Sequence, residues 1–416
     1  MKFFHLPGIS LSFLKLGFII KLFAGITVGL IYTYYYTDRL TADTFKFFDD
    51  SKILHSAIYE NPLNYLKMLT GIGASSPGLQ HYYDSMTNWY DTFSPFNDNR
   101  TMIRLNAFLR LFSFGYYYVH VTVVCFLSFV GIIAIVKTFS REYPGLNKEI
   151  FLIFLLLPSV LFWGSGLLKD ALVFFTFGLV LLFFDRMIRE TKFKSAQLFI
   201  FIVALCLLMI TKFQVFLISV PLLIAWGISS KFKFNALYTF AGFSLLFFSV
   251  VLLTSHMLPD WDVIKLLVEK QSAFFELVDT TDAGSAISIP VLEPNLTNFI
   301  IKAPIGFFNC LTRPFITDSG AFLNTISAIE NVFILLLGAF CVLKFRIRNV
   351  KNKILPVFCL FYTLYSFTLI GMITPILGAM VRYKAQALPF MVVLFIIIAQ
   401  PAVQKVIEKF IPKSIS

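Results

Sequence analysis

The sequence predicts an all-α, polytopic transmembrane bundle of about ten spans, and three observations predict it. The chain is 58% hydrophobic and only 14% charged, with a mean hydropathy of +0.79, far from the range of soluble globular domains. Several apolar runs approach or exceed the ~20 residues that cross a hydrocarbon core of about 30 Å; residues 16–36, 114–136, 237–255 and 355–376 are the clearest. The short basic loops between the runs all fall on one side, as the positive-inside rule requires. Run 16–36 is too long, and too poor in a small-residue cleavage site, to read as a removable signal peptide.

The spans follow in order from an N-terminus holding Lys2 and Lys15, placed in the cytoplasm. Run 16–36 exits, residues 37–106 form a first outer segment, and run 111–136 returns to Lys137, Arg141 and Lys148. Run 150–163 exits, and 168–184 returns to Arg186, Arg189, Lys192 and Lys194. Run 198–210 exits to a brief break holding Lys212 and Gln214, and 215–229 returns to Lys231 and Lys233. Run 236–256 exits into a second outer segment, residues 257–324. Run 326–343 returns to Lys344, Arg346, Arg348, Lys351 and Lys353. Run 355–376 exits to Arg382, Tyr383 and Lys384, and 388–401 returns to a tail with Lys405, Lys409 and Lys413. Residues 1–416 thus read as one integral membrane domain of a bacterial inner membrane, with both termini cytoplasmic.

Each outer segment carries its own pattern. Residues 49–69 are apolar at helical spacing and polar between, which predicts an amphipathic interfacial helix. A Gly/Ser/Pro break at 71–78 and an aromatic, polar stretch at 81–96 follow. In the second segment, 260–293 is net acidic, and Asp279 to Gly284 reads as an exposed loop. Residues 299–311 are apolar but broken by Pro304 and Gly306, which suits a re-entrant or interfacial helix. No internal repeat is visible, against the inverted-repeat architecture of many transporters.

The net charge of +12 does not point to nucleic acid, because the basic residues sit in short loops. There they set topology and meet anionic lipid headgroups. Cys125, Cys206, Cys310, Cys341 and Cys359 are scattered through apolar runs and make neither a disulfide framework nor a zinc site. The five histidines form no metal-ligand cluster.

The topology gathers Asp43, Asp49, Asp50, Lys169, Asp170, Lys212, Arg313, Arg382 and Lys384 on the non-cytoplasmic face. Charges at the mouth of a membrane bundle are costly to hold there, so they are the functional candidates. Asp43, just beyond the first span, is placed to act as a general base. With Asp49 or Asp50 it could equally hold a divalent cation such as Mg²⁺ or Mn²⁺, or simply cap the interfacial helix. Lys169 and Asp170 follow a turn containing Gly164 and Gly166, and either pair with each other or meet a ligand. Arg313, Arg382 and Lys384 offer the fork and point-charge chemistry that a phosphate ester needs, or anchor their helices separately. Lys21, Asp185 and Glu330 lie near span ends and read as interfacial, which leaves few polar residues for a transport path.

This arrangement resembles the GT-C superfamily of polytopic glycosyltransferases. The stretch Ala42-Asp43-Thr44-Phe45 up to Asp49 looks like that family's acidic motif in the first outer loop, although Thr44 stands where a second acid is common. Lys169, Asp170 and Arg382 look like the donor-phosphate side. The resemblance implies a polyprenyl-phosphate-linked sugar donor and a glycan, lipid or protein acceptor. It makes Asp43 the catalytic base, with Arg382, and Arg313 or Lys169, on the lipid phosphate. A polymerase or ligase of lipid-linked polysaccharide would instead centre on Arg313 and residues 260–293. A transporter or flippase of an anionic lipid or solute is the non-enzymatic alternative.

Overall fold

A computed structural model of the chain describes residues 2–40, 42–90, 97–190, 194–257, 262–281, 284–318, 322–345, 353–400 and 402. The expected basic tail at Lys405, Lys409 and Lys413, the residues Lys192, Arg346, Arg348 and Lys351, the stretch 91–96, Asp260 and Asp282 lie outside the described residues. Within them, the named elements are all helices.

Among the described residues, six helices are long and apolar enough to cross a membrane: α1 (Leu11–Tyr34), α6 (Tyr117–Ser140), α9 (Lys169–Arg189), α11 (Phe213–Phe232), α15 (Phe322–Leu343) and α16 (Ile354–Ile373). Helices α17 (Leu377–Lys384) and α18 (Leu388–Ile398), bent by 55° at their break, make a seventh span if they cross together. Helix α10 (Ser195–Thr211) and residues Ala236–Val251 of α12 (Ala236–Met257) are apolar but shorter. This set of helices fits an integral membrane protein.

Glycines set the closest helix crossings. A Cβ on Gly131 of α6 would lie 2.0 Å from the Phe174 carbonyl oxygen of α9, and one on Gly178 of α9 would lie 2.2 Å from the Gly131 oxygen. The backbones touch because neither residue has a side chain, the usual route to tight packing in lipid. Beside this crossing, Phe177, Phe358, Tyr362 and Phe390 join α9, α16 and α18 in one aromatic core, with ring centroids 5.0 to 6.5 Å apart. Phe154 of α7 (Asn147–Leu156) reaches the same core through Phe390.

The run 150–163 is not one straight helix. Leu157, held at ψ 122° ahead of Pro158, separates α7 from α8 (Pro158–Trp163); a residue before proline disfavours the α region. The first outer segment is a small helical unit of α2 (Asp43–Glu60), α3 (Pro62–Thr70), α4 (Gln80–Asp84) and α5 (Asp98–Ser113). Phe47, Leu54, Tyr65, Met68, Trp89, Met102 and Ile103 form its buried core. The single amphipathic helix expected over 49–69 starts earlier, at Asp43, and is cut at Asn61, whose side chain caps α3 ahead of Pro62.

The second outer segment differs in two further ways. Helix α13 (Val263–Thr281) continues through Asp279, where a loop was expected. Helix α14 (Leu296–Thr312) runs unbroken through Pro304. Its Gly306 meets Gly371 of α16, where an added Cβ would lie 1.9 Å from the Gly306 oxygen.

Candidate functional site

Helix α17 begins at a break in the chain. There the Ile287 N–H donates to the Pro375 oxygen at 2.7 Å and the Leu377 N–H to the Ser285 oxygen at 3.0 Å. The strap after α13 thereby fixes where α17 starts, and its last turn presents Arg382. The Arg382 guanidinium donates from Nε to Asp170 Oδ2 at 2.7 Å and from Nη1 to Asp43 Oδ2. Its carbon lies 5.2 Å from the centre of the Trp163 ring, at the end of α8. Asp170 is fully buried in the first turn of α9, where the helix dipole favours a carboxylate. Its Oδ1 accepts from Gln386 Nε2 at 2.5 Å, with Lys212 Nζ at 3.7 Å.

Asp43 is the first residue of α2. The cap itself is Ala42, which has no side chain to offer, so Asp43 is not the N-cap. Its Oδ1 pairs with Lys46 Nζ at 2.5 Å, one turn along the helix. Burial works against the charge on Asp43, but Arg382, Lys46 and Lys169 outweigh it and hold the carboxyl well below its usual range. Thr44 shares a hydrogen bond of 2.5 Å with the Tyr117 hydroxyl. Lys169 donates to Asp98 Oδ1 at 2.6 Å and Asn99 Oδ1 at 2.5 Å, and lies 4.9 Å from the Phe47 ring centre. Lys212 lies 4.2 Å from the ring centre of Tyr383. Around Arg382, four cations (Lys46, Lys169, Lys212 and Arg382) meet three carboxylates (Asp43, Asp98 and Asp170).

Asp43, Lys169, Asp170, Lys212 and Arg382 therefore converge, and the remaining candidates do not. Asp49 pairs with Arg39 at 2.7 Å on an exposed face of α2. Asp50 turns inward and accepts from the backbone N–H groups of Thr87 and Asn88 at 3.1 and 2.7 Å. The three aspartates of α2 thus have separate partners, and no group of three His, Cys, Asp or Glu among the described residues is placed to hold a metal ion. Arg313 pairs with Asp318 at 3.1 Å. Lys384 is buried and donates to the Arg313 oxygen at 2.6 Å, to Asn331 Oδ1 at 2.9 Å and to the Cys310 oxygen at 3.4 Å. It ties α17 to α14 and α15.

Two further ionisable residues are deeper than expected. Lys21 is fully buried within α1, because that helix starts at Leu11 behind its Ser10 cap, not at Leu16. Its ammonium donates to the Gly164 oxygen at 2.7 Å and to Ser165 Oγ at 3.3 Å. Ser128 Oγ and Cys125 Sγ grip the same turn at the Gly164 and Ser165 oxygens, 2.8 and 2.6 Å away. Lys21 thereby fixes the turn that carries Trp163 and leads into Lys169 and Asp170. Glu330 is buried in α15 and receives the Ser159 N–H and hydroxyl at 3.1 to 3.2 Å, capping α8 from outside. Asp185 is near the end of α9 as expected, held by Arg141 at 3.1 Å and Arg189 at 2.6 Å.

A cavity of about 20 Å³ opens beside the cluster, with Lys212, Gln214, Tyr383 and Gln386 at one side and Tyr362, Leu369 and Ile370 at the other. It has room for water between a polar rim and an apolar wall. Sequence reasoning did not single out Lys46, Trp163, Tyr383 or Gln386 as partners. Lys46 was open to it as the (i, i+3) neighbour of Asp43; Gln386 lies beyond the end of α17, in the turn before α18, where helical spacing gives no guide. A Ser113–His120–Asn106 chain, with distances of 2.6 and 2.7 Å, is also present. All three residues are sealed from solvent, so it fastens α5 to α6 and is not a nucleophilic site.

Comparison with protein-family models, with curated proteins and with solved structures finds no match to the chain. The reading of this site rests on its own geometry.

Proposed function

We propose that the chain is a membrane glycosyltransferase of GT-C type. It transfers a sugar from a polyprenyl-phosphate-linked donor to a glycan, lipid or protein acceptor on the extracytoplasmic face. One observation carries this reading. Asp43, the first helical residue after the first span, shares a guanidinium with Asp170, in a group that also includes Lys46, Lys169 and Lys212. A base for the acceptor and cations for a departing phosphate are then next to each other at one height.

In this reading the bundle has about ten spans, with the bent α7–α8 pair, α10, α12 and the α17–α18 pair each crossing. Both termini are in the cytoplasm of a bacterium, and the inner membrane holds the protein. A donor phosphate would compete with Asp43 for Arg382 and Lys46. Its arrival would loosen the ion pairs that make Asp43 a poor base and leave the carboxylate free to take the acceptor proton. Among the described residues, the pairing of Arg313 with Asp318 favours this reading over a polysaccharide polymerase or ligase centred on Arg313. The backbone partners of Lys21 make it a fastening of the α8–α9 turn, which weakens a transport path through it.

The test is Asp43→Asn in the purified protein, assayed with a polyprenyl-phosphate sugar. Asn keeps the shape and can still accept from Arg382 but gives up the charge that pairs with Arg382 and Lys46, so the variant should melt cooperatively at a somewhat lower temperature while transfer falls by about 10² to 10⁴-fold. Undiminished transfer would remove Asp43 as the base.

A further inference from the structure

At the opposite end of α11 from Lys212 lies a second, larger concavity. Helix α11 is 20 residues long, so at 1.5 Å per residue its ends are about 30 Å apart, a full hydrocarbon thickness. The groove between the end of α11 and the start of α12 holds about 400 Å³, within the roughly 300–1,000 Å³ of small-ligand sites. Ile228, Phe234, Phe243 and Leu246 form its walls. At Gly242 an added Cβ would meet nothing within 4 Å, so the floor is open space.

Two polar groups of the groove are already engaged. Asn235 Oδ1 accepts the Leu237 N–H at 3.0 Å, capping α12, and Thr239 Oγ1 donates to the Asn235 oxygen at 2.9 Å. What the groove offers a ligand is therefore mainly apolar surface. Lys231 and Lys233 fall in the chain between the lining residues Ile228 and Phe234; both are exposed, and neither has an ion-pair partner among the described residues. Lys233 sits at φ +55°, in the turn between the helices. An apolar trough with two unpaired ammonium groups in the chain between its lining residues complements one kind of molecule in a bilayer: an amphiphile with a hydrocarbon chain and an anionic head.

We propose that this groove binds an anionic glycerophospholipid of the surrounding bilayer, with one acyl chain along the Gly242 face and the phosphate at Lys231 and Lys233. The site is independent of the transferase reading and lies at the other membrane face from Arg382. The experiment is native mass spectrometry of the purified full chain, stripped of lipid and titrated with phosphatidylglycerol or phosphatidylcholine. The wild type is expected to hold one phosphatidylglycerol at least about tenfold more tightly than phosphatidylcholine. The exposed double variant K231Q/K233Q should bind both lipids equally and weakly, while Gly242→Leu, which fills the floor, should lose both. Lipid-free melting temperatures of the two variants check that each is folded. Equal binding of the two lipids by the wild type, or retention unchanged in both variants, overturns the proposal. So does a dimer that Gly242→Leu dissolves, since the groove would then be an interface between copies of the chain.

Discussion

Asp43 accepts a hydrogen bond from Arg382 although 339 positions separate them in the chain. Two segments that never meet in sequence thus share one proton donor at one height of the bundle. Arg382 is simultaneously bonded to Asp170, so a single guanidinium is the hinge on which both carboxylates depend.

The Arg382–Asp170 contact gives a thermodynamic prediction. Asp170 is fully buried, and removing one partner of a buried pair costs about 3–5 kcal/mol, because the other charge is left uncompensated. Arg382→Gln should therefore lower the melting temperature markedly. Adding Asp170→Asn should recover part of the loss, so that the double variant is less destabilised than the sum of the singles. Strict additivity in thermal unfolding would mean that the two side chains do not support each other.

Lys384 and Arg313 were both candidates for phosphate, and the geometry separates them. Lys384→Met removes three buried donations and leaves Asn331 Oδ1 and the Arg313 oxygen short of a partner, which should destabilise the fold by about 1–3 kcal/mol. Arg313→Ala breaks a partly exposed pair with Asp318 and should cost about 1 kcal/mol or less. Comparing the two melting curves decides it; equal losses would contradict the assignment of Lys384 to the packing of α17.

The pH dependence follows from Asp43. Its folded-state carboxyl is held below the unfolded value, so its contribution to stability is present above about pH 4 and is lost as pH falls through the folded value. In the proposed enzyme the acid limb of kcat/KM, which reports the free protein, should not arise from Asp43 anywhere above about pH 4. A donor phosphate that draws Arg382 and Lys46 away raises the basicity of Asp43, so the acid limb of kcat should lie at higher pH. Coincident limbs in a steady-state pH profile would show that the ion pairs persist in the complex.

The α6–α9 crossing sets a packing prediction. A Cβ at Gly178 would stand 2.2 Å from the backbone of Gly131, which no side-chain rotation relieves, so the helices must part. Gly178→Ala should lower stability by about 1–3 kcal/mol and displace Asp170 from Arg382, visible as a joint loss of melting temperature and transfer. An unchanged melting temperature would mean the backbones are not in contact.

How much of this was legible in the sequence depends on the coordinate in question. Grouping along the spans was largely legible: hydropathy and the basic loops lead one to expect Asp43, Lys169, Asp170, Lys212 and Arg382 at one end of the bundle, and these five converge, although Lys21 and Glu330 lie deeper than that pattern suggests. Rotation about each helix was not. Arg382 and Lys384 are two residues apart, hence about 200° around α17, and only packing decides that Arg382 meets Asp170 while Lys384 turns into α14 and α15. Asp49 and Asp50 show the same ambiguity on α2, one exposed on Arg39 and one turned in toward Thr87 and Asn88. Lys21 was misread because apolar composition marks where a span is greasy, not where its helix begins; the Ser10 cap adds more than a turn before Leu16. The cut between α2 and α3, by contrast, was written as Asn61-Pro62 and needed only the capping rule to be seen.

The tie between Asp170 and the far end of the chain also sets an order of assembly. Asp170 finds its partners Arg382 and Gln386 only 212 and 216 positions later. During synthesis α9 enters the bilayer well before either exists, carrying a carboxylate that must wait at the surface or hold its proton. The arrival of α17 therefore completes the charge balance around α9, and a chain stopped short of Arg382 leaves that carboxylate with Lys212 alone, 3.7 Å away, as its counter-ion.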